Sequence, residues 1–183
     1  MSEFNHSSLT LRSPAKLNLF LHIVGQRADG YHLLQSVFQL IDWCDELTLK
    51  RISENEIRRI DPIPGVEPKN DLVVRAANLL KDFCQIQSGV EIGLKKEIPM
   101  GAGLGGGSSD AASTLIGLNA LWNLGLDQQT LCELGLKLGA DVPFFIYGKN
   151  AFVEGIGEKI QEIALDSRTF LVIFPDRKST RLN

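Results

Sequence analysis

Apolar and polar residues alternate in several short stretches of the chain, and this pattern is typical of β-strands with one buried face. The alternation is clearest in residues 17–24, where every second residue from 17 to 23 is Leu or Ile and is expected to face the core. The same pattern predicts strands at residues 8–12, 36–41, 46–52, 90–94, 151–154, 159–163 and 170–174. Pro14 lacks a backbone N–H, so we expect it to interrupt the pairing between the first two strands. Residues 57–68, rich in Pro and Gly, are predicted to form an irregular connection.

Three other stretches have apolar residues three and four positions apart, which predicts helices with one apolar face. The first helix begins after Asn70 or Asp71, since either residue suits the N-cap position. The second begins near Ser109 or Asp110, and the third begins after Asp127. The three apolar faces consist of Leu72, Ala76, Leu79, Leu80 and Phe83, then Ala111, Leu115, Leu118 and Trp122, then Leu131, Leu134 and Leu138.

A glycine-rich stretch, residues 99–112 with the sequence PMGAGLGGGSSDAA, separates a predicted strand from the second predicted helix. Its glycines permit positive φ, so successive backbone N–H groups can face one concavity. The helix that follows adds unpaired amides and the positive end of its dipole, which together predict a phosphate site. The stretch differs from a Walker loop, because no Gly-Lys-Ser/Thr ending supplies a lysine. Lys95 and Lys96, just before it, are either solvated edge charges or positioned to reach a bound nucleotide.

Composition limits the classes of protein that the chain can represent. Its 183 residues are 44% hydrophobic and 22% charged, which is enough for one domain or at most two small ones. The net charge of −3, without a basic stripe, argues against nucleic acid or an anionic membrane as the main partner. Cys44, Cys84 and Cys132 lack metal-ligand spacing and are expected to be free thiols in a reducing cytosol. The first ten residues lack a signal-peptide core, so a cytoplasmic location is predicted.

Some polar positions have both a structural and a functional interpretation. Lys16 enters a predicted strand, where a lysine more often extends toward solvent than acts in catalysis. Tyr31 and His32 follow an Asp-Gly reversal and form either a packed hairpin loop or an edge that binds a base or sugar. Asp141 precedes a proline and is either a turn or cap residue or a functional carboxylate.

Three separated motifs occur together in the chain. They are SPAKLNL at residues 13–19, the glycine-rich stretch at residues 99–112, and LGADVP at residues 138–143. In this combination the chain resembles the GHMP kinases, the small-molecule kinases named for galactose, homoserine, mevalonate and phosphomevalonate. The sequence GQRADGYH at residues 25–32 and the triple glycine are similar to the subgroup that acts on CDP-methylerythritol. The resemblance covers the chain from about Leu9 to about Pro175.

The resemblance implies an α+β fold, that of the GHMP kinase N-terminal domain, which is shared with domain 2 of ribosomal protein S5. It implies one such ATP-binding domain over residues 8–175 and an unstructured tail of foreign origin over residues 176–183. Family members continue into a C-terminal domain that completes the phosphate and cytidine sites. We expect that domain to be missing from this chain.

The resemblance also implies a reaction and its residues. The reaction is ATP-dependent phosphorylation of a hydroxyl of CDP-methylerythritol, which serves isoprenoid precursor synthesis by the non-mevalonate route. Lys16 and Asp141 match the catalytic pair, and Asn18, Tyr31 and His32 match the substrate contacts. Ser108 would lie near Mg²⁺. The ATP site would consist of Lys96, Pro99, Met100, Gly101, Ala102, Gly103, Leu104, Gly105, Gly106, Gly107, Ser108 and Ser109.

One departure from the family concerns the adenine. The family has an asparagine where this chain has Asp71, so the N-cap interpretation of Asn70 and Asp71 is preferred. Three alternatives accompany the kinase hypothesis. In the first, the chain is another GHMP kinase that acts on homoserine or mevalonate. In the second, it is a fragment that binds nucleotide without turnover. In the third, it is an S5-like module that binds RNA or has a structural role.

Overall fold

The computed structural model describes residues 7–30, 32–63, 65–166 and 169–170. Within these residues the chain forms one six-stranded sheet, four α-helices and a 3₁₀ turn at Pro68–Asn70. The strands are β1 (Ser8–Gln26), β2 (His32–Ile52), β3 (Ile57–Arg59), β4 (Gly89–Lys95), β5 (Ala151–Gly155) and β6 (Lys159–Glu162). The helices are α1 (Leu72–Phe83), α2 (Gly106–Leu121), α3 (Gln128–Leu136) and α4 (Val142–Tyr147).

A long antiparallel hairpin of β1 and β2 organises the sheet. The sequence predicted two separate strands in each arm, and the structure joins each pair into one strand. Pro14 lies inside β1, where the register shifts from Pro14 opposite Cys44 to Ala15 opposite Ile41. This irregularity accommodates the missing N–H of proline without ending the strand.

The remaining strands pair with the two halves of β2. Its N-terminal half pairs with β5 and its C-terminal half pairs with β4, which gives the order β3-β4-β2-β5-β6 with β1 also on β2. Only the pairing of β3 with β4 is parallel among those in the described sheet. The prediction of an irregular segment over residues 57–68 was therefore wrong at β3, whose three residues are too few for an alternation to be visible.

The core lies between the sheet and helices α1 and α2. Leu47, Leu49 and Ile92 of the sheet are fully buried in one cluster with Leu115 and Leu118 of α2. A Cβ at residue 117 of α2, which is Gly, would lie 2.5 Å from Leu49 Cδ1, so the missing side chain allows the helix to approach the sheet closely.

Helix boundaries confirm two predicted caps and correct other predictions. Asp71 and Asp127 accept backbone hydrogen bonds at the starts of α1 and α3, as N-cap residues do. Helix α2 begins at Gly106, three or four residues before the predicted start at Ser109 or Asp110. Phe83 was predicted on the buried face of α1 and is 53% exposed. Helix α4, with the all-apolar sequence VPFFIY, was not predicted because it shows no helical period.

Burial in β1 also differs from the prediction. The buried residues of this strand end at Lys16, and the apolar side chains of the predicted core face beyond it are exposed at Leu19, Leu21 and Ile23. Strands β5 and β6 agree with the pattern in the sequence. Most of the strand predicted at residues 170–174 and the whole tail predicted at residues 176–183 lie outside the described residues. None of the described helices is long and apolar enough to cross a membrane.

Candidate active site

A cleft of about 450 Å³ opens between the glycine-rich loop and the N-terminal end of α1. It contains Lys96, every residue from 99 to 108, and Asp141, so most of the predicted site residues line one cavity. Ser109 does not line it, because its side chain is fully buried in α2. The other residues that line the cleft are mostly apolar and are Ile63, Val66, Asn70, Asp71, Leu72, Val73, Leu94 and Asp110.

The glycine-rich loop depends on glycine for two different physical reasons. Gly101 has φ of 73° and open space around its Cα, so only its backbone conformation disfavours a side chain. Gly105 also has φ of 73°, and a Cβ there would lie 2.8 Å from the ring of Phe145 and 3.1 Å from Lys16 Cγ. Helix α2 starts at the next residue, so its free N-terminal amides border the cleft.

Lys16 and Asp141 come together beside this loop. Their ammonium and carboxylate groups are 3.3 Å apart, and the Lys16 side chain is 4% exposed whereas that of Asp141 is 33% exposed. Lys16 Nζ donates a 2.8 Å hydrogen bond to Asn18 Oδ1 and lies 4.3 Å from the centre of the Phe38 ring. The backbone N–H of Lys16 donates to the carbonyl of Leu104 in the loop. The structure thus brings Lys16 into contact with three other predicted site residues, Asp141, Asn18 and Leu104.

Helix α4 positions Asp141 at the N-cap, but the Asp141 side chain makes no capping hydrogen bond. Its carboxylate is therefore available to Lys16 rather than to the helix backbone. Apolar packing fixes the helix, since Phe144 forms an edge-on contact with Phe38 at 5.1 Å between ring centres. Phe145 packs against Gly105, so the same helix also supports the loop.

The two lysines before the loop have different environments. Lys95 is exposed and pairs with Glu97 at 2.9 Å, which confirms its interpretation as a solvated edge charge. Lys96 is not solvated in this way, because its ammonium lies between the carboxylates of Asp45 and Asp110. The distance to Asp110 Oδ2 is 2.7 Å.

Asp45 and Asp110 are the functional candidates that the sequence did not reveal. Asp45 Oδ1 accepts hydrogen bonds from the backbone N–H groups of Glu97 and Ile98, at 2.6 Å and 2.8 Å. Burial raises the pKa of Asp110 to about 7, although the nearby Lys96 ammonium favours its ionised form. The sequence signal for Asp110 was a carboxylate in a helix start that is otherwise rich in Gly, Ser and Ala. Asp45 had no such signal, because the residues that it contacts are distant in sequence.

The three predicted substrate contacts, Asn18, Tyr31 and His32, are not gathered in the cleft among the described residues. His32 begins β2 at the exposed tip of the hairpin, opposite Gln26, and does not line the cleft. Tyr31 lies outside the described residues. Asn18 is exposed apart from its contact with Lys16.

Comparison with known proteins identifies the class. Residues 71–149 match the family model described as GHMP kinases N terminal domain. A crystal structure of 4-(cytidine 5'-diphospho)-2C-methyl-D-erythritol kinase aligns with 40% identity and a TM-score of 0.75, over 86% of this chain and 56% of that chain. Homoserine kinase from Cytophaga hutchinsonii shares the fold, with a TM-score of 0.69 at 17% identity over 91% of this chain and 55% of its own. The chain belongs to the GHMP kinases and has the α+β fold of their N-terminal domain.

Curated relatives narrow the similarity to one member of that class. The chain is 79% identical over 173 residues to 4-diphosphocytidyl-2-C-methyl-D-erythritol kinase of Polynucleobacter necessarius subsp. necessarius, covering 94% of this chain and 58% of the relative. It is 56% identical over 175 residues to the kinase of the same name from Burkholderia mallei, covering 96% of this chain and 60% of the relative. The chain therefore spans about three fifths of the length of these relatives.

Proposed function

We propose that the chain supplies the ATP-binding and catalytic part of a kinase that phosphorylates a hydroxyl of CDP-methylerythritol for isoprenoid precursor synthesis. The observation that carries this proposal is the contact between Lys16 and Asp141 at 3.3 Å, next to a glycine-rich cleft. The names of the relatives at 56% and 79% identity support the substrate. They favour this function over that of another GHMP kinase or an S5-like module. In this proposal the domain spans residues 8–175. The cytoplasmic location stays a prediction, as does the absence of a nucleic-acid partner.

ATP is proposed to occupy the cleft with its phosphates at the start of α2. The unpaired amides of that helix and its dipole attract anions, and the loop glycines leave room for phosphate oxygens. The proposed ATP contacts are Lys96 and residues 99–108, which all line the cleft. We leave Ser109 out of this set, because its buried hydroxyl does not reach the cavity.

Lys16 and Asp141 have separate roles in the proposed transfer. The hydroxyl oxygen of the substrate forms a bond to the γ-phosphorus of ATP while the bond to the leaving ADP oxygen breaks, and the hydroxyl proton is released. Lys16 neutralises charge on the transferring group, which matters most in a loose transition state. Asp141 mainly orients the hydroxyl in this proposal and accepts its proton late.

Mg²⁺ fits the oxygen atoms that the cleft presents. Magnesium prefers few protein oxygen ligands together with phosphate oxygens, and the hydroxyl of Ser108 and the carboxylate of Asp141 both belong to the cleft lining. Ser108 is the proposed protein ligand. When bound, Mg²⁺ would neutralise the phosphate charge.

The cytidine part of CDP-methylerythritol is proposed to contact Asn18, Tyr31 and His32. The side chain of Asn18 is already held by its hydrogen bond from Lys16.

The test measures ATP consumption with and without CDP-methylerythritol. Two proteins are compared, namely this chain and this chain extended by the remaining sequence of the Polynucleobacter relative. ADP formation that requires CDP-methylerythritol and disappears in Lys16→Met is the expected result. If only the extended protein is active, this chain supplies part of the active site, as proposed, and needs the remaining sequence for turnover. Turnover that needs homoserine or mevalonate, or no turnover in either protein, would contradict the proposal.

A further inference from the structure

Three elements meet at a buried charge cluster formed by Asp45, Lys96 and Asp110, which we call the Lys96 cluster. Asp45 comes from β2, Lys96 follows β4, and Asp110 lies in α2. The Lys96 ammonium bonds both carboxylates, and the side chains of Asp45 and Asp110 are 0% and 3% exposed. Asp45 also holds the backbone after Lys96 through Ile98 N–H. The cluster thus joins the sheet, the entry to the glycine-rich loop and the helix after it.

The cluster contacts the first residue of α2 directly. A Cβ on Gly106 would lie 3.2 Å from Lys96 Nζ and 3.1 Å from Ile98 Cγ2. The ammonium is therefore packed against the backbone that carries the unpaired amides of the helix start. The two carboxylates offset the charge of this ammonium, so the cluster acts on the helix start by fixing its position rather than by adding positive charge.

Stability alone gives a weak reason for the position of Asp110. Only its Oδ2 atom bonds Lys96, and its buried Oδ1 atom has no hydrogen-bond partner among the described residues. A buried carboxyl group with an unpaired oxygen costs folding free energy, and buried ion pairs often contribute little net stability. Asp110 also lines the cleft, whereas Asp45 does not. Both observations favour a role in the site.

We propose that Asp110 is a positioning residue for the phosphate end of the cleft. It holds the Lys96 ammonium against Gly106 and so fixes the first turn of α2, whose amides face bound phosphates. This inference rests on the proposed function, because it assumes that the cleft binds ATP. In this role Asp110 itself contacts no substrate and acts entirely through Lys96.

The role predicts a difference between ligands that a purely structural role would not produce. Binding of MgATP and of adenosine is measured by calorimetry on the intact chain. In Asp110→Asn, affinity for MgATP falls about tenfold while affinity for adenosine is unchanged, because only phosphates contact the turn that Lys96 supports. Asp82→Asn, the same change on the exposed surface of α1, is the matched control and leaves both affinities unchanged.

A double-mutant cycle tests whether Asp110 acts through Lys96. Lys96→Met weakens MgATP binding, and adding Asp110→Asn to it produces no further loss. Additive losses would overturn the proposal, as would equal losses for MgATP and adenosine or an unchanged MgATP affinity in Asp110→Asn. If Asp110→Asn does not fold, Asp110→Glu takes its place with the same expected difference between ligands. A wild-type chain that binds no MgATP would instead overturn the proposed function, and this inference with it.

Discussion

The carboxylate of Asp141 lies 3.3 Å from the ammonium of Lys16 and makes no capping bond to the helix that it precedes. An aspartate before Val-Pro at a helix start would ordinarily cap that helix. Here the N-cap position is occupied without the cap hydrogen bond, and the carboxylate is turned toward a lysine that is almost completely buried. Replacing either residue therefore affects the site before it affects helix α4.

The first prediction concerns the chemical step. Asp141→Asn keeps the shape of the side chain but removes the group that orients the hydroxyl and accepts its proton. We expect the single-turnover rate of phosphoryl transfer, measured at saturating MgATP, to fall about 10²-fold or more. Rapid-quench measurements on the catalytically active form of the protein, with Asp82→Asn as control, provide the check. A near-normal rate would remove Asp141 from the proposed mechanism.

A second prediction separates backbone strain from crowding in the glycine-rich loop. Gly101→Ala introduces only the cost of a positive φ, about 1 kcal/mol in the free energy of unfolding. Gly105→Ala adds a clash with the Phe145 ring, for which we expect about 1 to 3 kcal/mol more. Urea denaturation of the two variants measures the difference. Equal losses would mean that Phe145 moves away freely.

The third prediction compares two capping aspartates. Asp71 caps α1 and also pairs with Arg59 at 3.1 Å, and the two side chains are 6% and 8% exposed. Asp71→Ala leaves that guanidinium buried without its carboxylate, so we expect a loss of about 3 to 5 kcal/mol in unfolding free energy. Asp127→Ala removes an exposed cap and should cost about 1 kcal/mol. Urea denaturation that ranked the two variants in reverse would contradict this account.

A fourth prediction follows from the pKa of Asp110, which burial raises from 3.8 to about 7. Between these values the unfolded chain has released a proton that the folded protein still holds. The free energy of unfolding should therefore fall as pH rises from about 4 to about 7. In Asp110→Asn this contribution disappears, so urea denaturation across that range, without nucleotide or metal, should show a flatter profile. A profile identical to that of the wild type would show that Asp110 ionises normally.

Local patterns in the sequence predicted the features that depend only on residues close together along the chain. The caps at Asp71 and Asp127 and the apolar face that includes Leu115 and Leu118 were confirmed, because capping and helical periodicity act within a few residues. The early start of α2 was missed because glycine is a poor helix former, so Gly106 and Gly107 gave no helical signal in the sequence.

Long-range contacts were the part that local patterns could not supply. Periodicity alone gave Lys16 and Asp141 ordinary structural interpretations, and the combination of three motifs indicated their pairing. Asp45 and Lys96 meet because β2 and β4 are neighbours in the sheet, which no spacing along the chain encodes. Exposure of Ile23 was likewise unpredictable, since an alternating strand does not reveal which part of its face the helices cover.

The hydrogen bond from the Lys16 backbone N–H to the Leu104 carbonyl has a mechanical meaning. It makes the strand that carries the lysine and the loop that borders the cleft parts of one backbone frame. This bond fixes the backbone of Lys16 relative to the loop, whereas the ammonium is positioned by its contacts with Asn18 and Asp141. A shift of the loop backbone at Leu104 would therefore be passed directly to the strand residue that carries the lysine.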